Sequence, residues 1–139
     1  MHRGSIDSWS VLLAPMKELR AGWPSRGWSW DSRLSCVSSS FIAELEPNAL
    51  AAAKALSTEW TSSSIQKAPA HLRELAERTG GLRSGQRLMT GPPVGVSFVY
   101  GLWWPWGDGM TTSMRIGLGG PDATAEALQR LRDAFSVQL

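Results

Sequence analysis

Four arrangements in this chain have the residue types and spacing of known chemistry. Gly80-x4-Gly85, followed by Gln86-Arg87, has the glycine spacing of a phosphate-binding loop. It lacks the Lys and the Ser/Thr that would grip phosphate and magnesium. It also follows a helical pattern and precedes a strand pattern, the reverse of what such a loop needs. A helix end accounts for these glycines. Gly117-x-Gly119 lies between a strand and a helix pattern, as a dinucleotide fingerprint does, but Asp122 replaces the third glycine. The stretch 123–139 is too short for a second strand carrying an acidic ribose ligand. Ser64-x-x-Lys67 fits a two-position pattern of penicillin-recognising enzymes, without the companion S-D-N and K-T-G motifs.

The fourth arrangement is a set of single groups. His2 and His71 are the only imidazoles and Cys36 is the only thiol. His2 is expected on a frayed terminus, and His71 near the start of a helix, in a capping or surface role. Cys36 sits among Leu34, Val37 and Ile42 and is expected to be a buried small hydrophobe. One cysteine excludes an internal disulfide and thiolate metal clusters. No His-rich or carboxylate-rich spacing suggests zinc or calcium. No catalytic residue, metal ligand or cofactor is therefore assigned. An active site assembled from Asp108, Arg115, Glu59 and a serine would leave no local trace.

Tryptophan is the unusual component: eight Trp accompany one Tyr and three Phe. Trp9, Trp60 and Trp104 hold apolar-stripe positions and are expected in the core. Trp23, Trp28 and Trp30 lie in a Gly-, Pro- and Ser-rich loop over 22–32. Trp106 lies in Pro105-Trp106-Gly107, at a turn. Buried lids and a recognition surface are both open to these loop rings, since large Trp rings are mostly buried and Trp and Arg dominate binding hot spots.

These residues need elements to position them, and the clearest is a hairpin over 94–120. Val96, Phe98, Tyr100, Leu102 and Trp104 alternate with Ser97, Val99, Gly101 and Trp103; Met110, Thr112, Met114, Ile116 and Leu118 resume the period of two. With Pro105 to Gly109 as the loop, Trp104 would face Met110, Tyr100 Met114 and Phe98 Ile116, so that two apolar faces coincide. The other face would then be shallow, floored by Gly101 and Gly117, with Trp103 and Arg115 standing on it.

Elsewhere the pattern predicts a strand over 8–13 and a helix over 14–21 with Pro15 in its first turn. A strand over 34–45 follows. A helix opens at Pro47, with Leu45, Ala49, Ala52, Leu56 and Trp60 on one stripe, and 57–64 is a polar connector. A helix starts near Pro69 and ends at Gly80-Gly81, with Arg73–Glu77 and Glu74–Arg78 pairs on its outer side. A strand over 86–90 precedes the hairpin, and a last helix buries Leu128, Leu131 and Phe135.

The chain of 139 residues carries a net charge of +2, spread evenly. Basic and acidic residues number five and three in 1–40, four and five in 41–80, and five and four in 81–139. No segment concentrates charge as a binder of nucleic-acid backbones does. The N-terminal apolar run is too short for a signal peptide, and no segment suits a membrane span.

The reading is a single α+β domain over 1–139: a mostly antiparallel sheet of three to five strands around a Trp-rich hairpin, with three to four helices packed on one face. The expected function is that of a small, soluble, cytoplasmic binding protein engaging a protein partner through the hairpin tip, with Trp103, Trp106, Asp108 and Arg115 as binding residues. A bacterial toxin-neutralising (immunity-type) or other accessory protein is of this build. The alternative is an enzyme or small-ligand-binding domain with a pocket beside the glycine-floored face. Stacking of a glycan or single-stranded nucleic acid on exposed Trp is a third reading, disfavoured for nucleic acid by the even charge.

Overall fold

The computed structural model describes residues 7–25 and 27–138, so His2 and the start of the N-terminal segment lie outside it. The elements are α1 (Ser8–Gly22), β1 (Ser29–Asp31), β2 (Cys36–Ile42), α2 (Glu46–Ala52), β3 (Thr58–Thr61), α3 (Ala70–Arg78), β4 (Arg87–Thr90), β5 (Phe98–Pro105), β6 (Thr111–Gly119) and α4 (Ala125–Ala134). One antiparallel sheet has the order β1-β2-β6-β5-β4-β3. The class is α+β, as expected, with six strands instead of three to five. The two extra strands are the short edges β1 and β3, which lay in segments read as a loop and a connector. Among the described residues no helix is long and apolar enough to cross a membrane.

The first element differs from its expectation. Residues 8–22 form one α-helix, with Pro15 inside it and Asp7 accepting from the amides of Trp9 and Ser10 at its start. An interior proline costs about 3 kcal/mol. Against that, Trp9, Leu12, Leu13, Met16 and Leu19 recur on one stripe and are all buried, at roughly 1.5–3 kcal/mol each. Packing outweighs the proline. The helix opened at Pro47 stops at Ala52, and Trp60 belongs to β3, opposite Leu88 of β4. Thr58, Trp60 and Thr61 suit a pleated edge better than a helix.

The helices are split between the two faces, three against one, instead of sharing one face. The α1, α2 and α4 layer covers Val37, Phe41, Met89, Val99, Trp103, Met114 and Ile116. Rings of Trp103, Phe41, Trp23, Trp28 and Phe135 follow one another there at centroid spacings of 4.5–5.4 Å. The indole of Trp23 donates to Ser39 Oγ at 3.0 Å and that of Trp9 to the Asp122 carbonyl at 3.1 Å. Trp30 lies under the Arg132 guanidinium, 4.5 Å away. The tryptophans of the first loop are therefore structural. Helix α3 covers the opposite face with Leu72, Leu75 and Ala76, over Cys36, Leu88, Phe98, Tyr100 and Leu102. Its expected Arg73–Glu77 and Glu74–Arg78 pairs do not close to 4 Å; the ion pairs among the described residues are Arg87–Glu59, Arg115–Asp31 and Arg130–Asp7.

Candidate functional site at the hairpin tip

The hairpin forms, but in a different register from the one its pattern suggests. Trp104 faces Ser113 instead of Met110, Tyr100 faces Gly117 instead of Met114, and Phe98 faces Gly119 instead of Ile116. The shift is three positions, and an odd shift moves every pairing to the other face. The cause is local. Asp108 Oδ1 accepts from the amides of Met110 and Thr111 at 2.8 and 3.0 Å, and Oδ2 accepts from Thr111 Oγ1 at 3.2 Å. These bonds, the Met110 amide first, hold the Asp108 carboxyl below its ordinary range. With its amide taken by a side chain, Met110 stays in the loop. Gly109, at φ +69°, completes the turn, and the Trp106 amide closes it on the Thr111 carbonyl at 2.8 Å.

A second cause lies at the far end. In the observed register the Phe98 and Tyr100 rings lie over Gly119 and Gly117, where a Cβ would overlap them. Gly101, opposite Ile116, is filled over by the Met114 and Leu56 side chains. No shallow, glycine-floored face remains open, because the rings and Met114 occupy it.

This register separates two residues expected together. Trp103 is 2% exposed on the α1–α2–α4 face, against Phe41, with the Arg87 guanidinium 5.7 Å from its ring. It is a core residue and offers almost no surface to a partner. Arg115 stands on the opposite face with its guanidinium 4.6 Å over the Trp104 ring. Its Nε donates to Asp31 Oδ2 at 3.1 Å, tying β6 to β1 across β2. Desolvation pushes the Asp31 carboxyl up, but Arg115 and the Leu34 and Arg33 amides outweigh it and hold it below its ordinary value.

Trp106 does stand at the surface. Its indole folds back so that Nε1 donates to Ser113 Oγ at 2.7 Å, and Ser113 Oγ lies 2.8 Å from Ser40 Oγ. The residue nevertheless remains 53% exposed. Beside it are two residues that sequence reasoning missed. Ile42, at the end of β2 opposite Thr111, is 54% exposed, and Met110 in the loop is 69% exposed. The Met110 carbonyl accepts from the Ala43 amide at 2.7 Å, which pins the tip to the end of β2. In the sequence Ile42 stands out only as an apolar neighbour of the buried Cys36. Nothing in the pattern brought it to the tip, because the β2–β6 pairing is long-range.

Of the four expected binding residues, then, Trp106, Asp108 and Arg115 lie at or near the tip on one side of the sheet, and Trp103 does not. Asp108 shapes the turn and Arg115 is neutralised by Asp31. The arrangement presents fixed apolar groups among hydroxyls and offers no free acid or base. Elsewhere, Cys36 is fully buried, 3.4 Å from the Tyr100 hydroxyl, and burial pushes its thiol up to about 11. Burial likewise raises Tyr100. Comparison with protein-family models, curated proteins and solved structures found no match to this chain.

Proposed function

We propose that this chain is a binding protein that engages another protein through the tip of the β5–β6 hairpin, with Trp106 as the anchor. One observation supports this reading above the rest. Of the five large apolar side chains exposed among the described residues, Ile42, Trp106 and Met110 gather at this end of the sheet. Trp106 is also held in one orientation by its indole bond to Ser113, so little rotamer freedom remains to be lost on binding. The partner that fits is a protein surface with an apolar cleft for the indole and polar groups to meet Ser40 and the tip carbonyls. A toxin-neutralising or other accessory role belongs to this proposal and rests on the tip alone.

The test combines capture and mutation. A photo-crosslinking residue at Met110 should trap a partner from the source cell, and the affinity of the purified pair is then measured. Trp106→Ala is expected to weaken binding at least about tenfold, which corresponds to roughly 1.4 kcal/mol. The unfolding midpoint should barely move. A large drop in that midpoint would make Trp106 a structural lid and remove the proposal's support.

A further inference from the structure

The other end of the hairpin carries a groove that the tip reading does not use. It lies between α3 and the loops on either side of the sheet end, and its volume is about 790 Å³. That is within the size range of small-molecule sites. One wall is the α3 stripe His71, Glu74 and Arg78. The facing wall is the turn 94–97, closed by paired Val94 and Ser97 backbone bonds at 2.9 and 3.1 Å. Val96 stands at the top of that turn and is 61% exposed. Phe98 and Leu118 form an apolar floor. The turn is seated against Gly120, where a Cβ would overlap the Val96 carbonyl, so this wall is fixed.

Arg78, Leu118 and Ala123 also line a second recess of about 300 Å³, which adjoins the groove. Arg33, from the turn between β1 and β2, lines it as well, while Leu34, Leu75 and Leu128 contribute its apolar part. Neither Arg33 nor Arg78 has a carboxylate within 4 Å among the described residues. Two arginines from separate elements thus line one recess, whose surface is more polar than that of the groove beside it.

We propose that this groove binds a small organic carboxylate with an apolar body, the carboxylate between Arg78 and Arg33 and the body over Phe98, Leu118 and Val96. Guanidinium forks match carboxylate geometry, and hydrogen bonds to ionised groups are the stronger kind. The orientation follows from Glu74. It lines only the wide part of the groove, one helical turn or about 6 Å from Arg78, and repels an anionic head placed there. The head therefore lies at the narrow end and the apolar body in the wide one.

Titration calorimetry with octanoate, octan-1-ol and inorganic phosphate tests this on the full chain. Octanoate is expected to bind with a Kd below about 1 mM and octan-1-ol at least about tenfold more weakly, the charge-assisted bonds being lost. Arg78→Met keeps the apolar stem and should abolish that preference, with an unchanged melt. Val96→Asp, on an exposed turn, should weaken both ligands. Trp106→Ala should affect neither, which separates this site from the tip. No octanoate binding, equal binding of acid and alcohol, or insensitivity to both groove variants would overturn the proposal. So would displacement of octanoate by phosphate at millimolar concentration, which would mark a plain anion site.

Discussion

At Phe98 and Gly119 the β5–β6 pair is covered on both faces, whereas at the other end Pro105, Trp106 and Met110 are exposed. The reason is length. Helix α3 has nine residues and spans roughly 14 Å, while β5 has eight and spans about 26 Å. One short helix shelters only part of its face. The sheltered end is concave, with rings over glycines and charged groups around the rim. At the open end Trp106 and Met110 stay exposed, with the Trp106 indole bonded back to Ser113 and the Met110 and Thr111 amides to Asp108. The same two strands therefore serve two kinds of surface, according to what lies above them.

The strongest way to break this comparison is to delete volume at the covered centre and at the open tip. Ile116 is fully buried, and Ile116→Ala is expected to cost about 2–5 kcal/mol in a denaturant melt. Met110→Ala, at the tip, should cost under about 0.5 kcal/mol. Equal losses would mean that the tip packs like core. Next in size is Gly119→Ala, which drives a Cβ into the Phe98 ring. Overpacking of this kind costs about 1–3 kcal/mol. A neutral result in the same melt would show that the ring swings aside, and that glycine does not hold the register there.

A smaller effect sharpens the open side. Asp31 is held ionised by Arg115, so its carboxyl lies lower in the folded than in the unfolded chain. Its contribution to stability is present above the ordinary carboxylate value of about 3.9 and is lost as pH falls through the lower, folded value. Asp31→Asn should therefore flatten part of the stability loss measured by denaturation below about pH 4. Identical acid profiles for both proteins would show that the pair contributes nothing. The smallest effect is purely kinetic. Cys36, buried beside Tyr100 with its thiol raised to about 11, should react slowly with a thiol reagent at pH 8, and faster once denaturant is added. Fast native labelling would mean that the covered face opens.

Much of the local structure was legible in residue order. The α3 boundaries follow from Pro69 and Gly80-Gly81, and the hairpin from alternation around a Pro- and Gly-containing turn. The buried Cys36 follows from its apolar neighbours. Trp106 was legible as a loop ring with no regular face to pack against, while its exposure was decided by the structure. Other readings failed where two local rules competed. Pro15 argued against a helix that five buried side chains stabilise, and the alanines after Pro47 argued for a helix reaching Trp60.

By itself the sequence determined the α+β class, the existence and place of the hairpin, the bounds of α3, and the absence of any internal disulfide. Those follow from short-range chemistry: periodicity, turn residues and the cysteine count. Only the tertiary structure decided which face each residue of the hairpin presents. Phe98-Val99-Tyr100-Gly101-Leu102-Trp103 is apolar on both sides, because β5 is a central strand buried on both, and such a run carries no alternation to read. Its register was settled instead by the side chain of Asp108 and by rings crossing to Gly117 and Gly119. That choice placed Trp103 in the core, Arg115 over Trp104, and Ile42 beside Trp106. The groove between Arg78 and Arg33 has the same origin, since residues 45 positions apart meet only when the sheet and α3 are assembled.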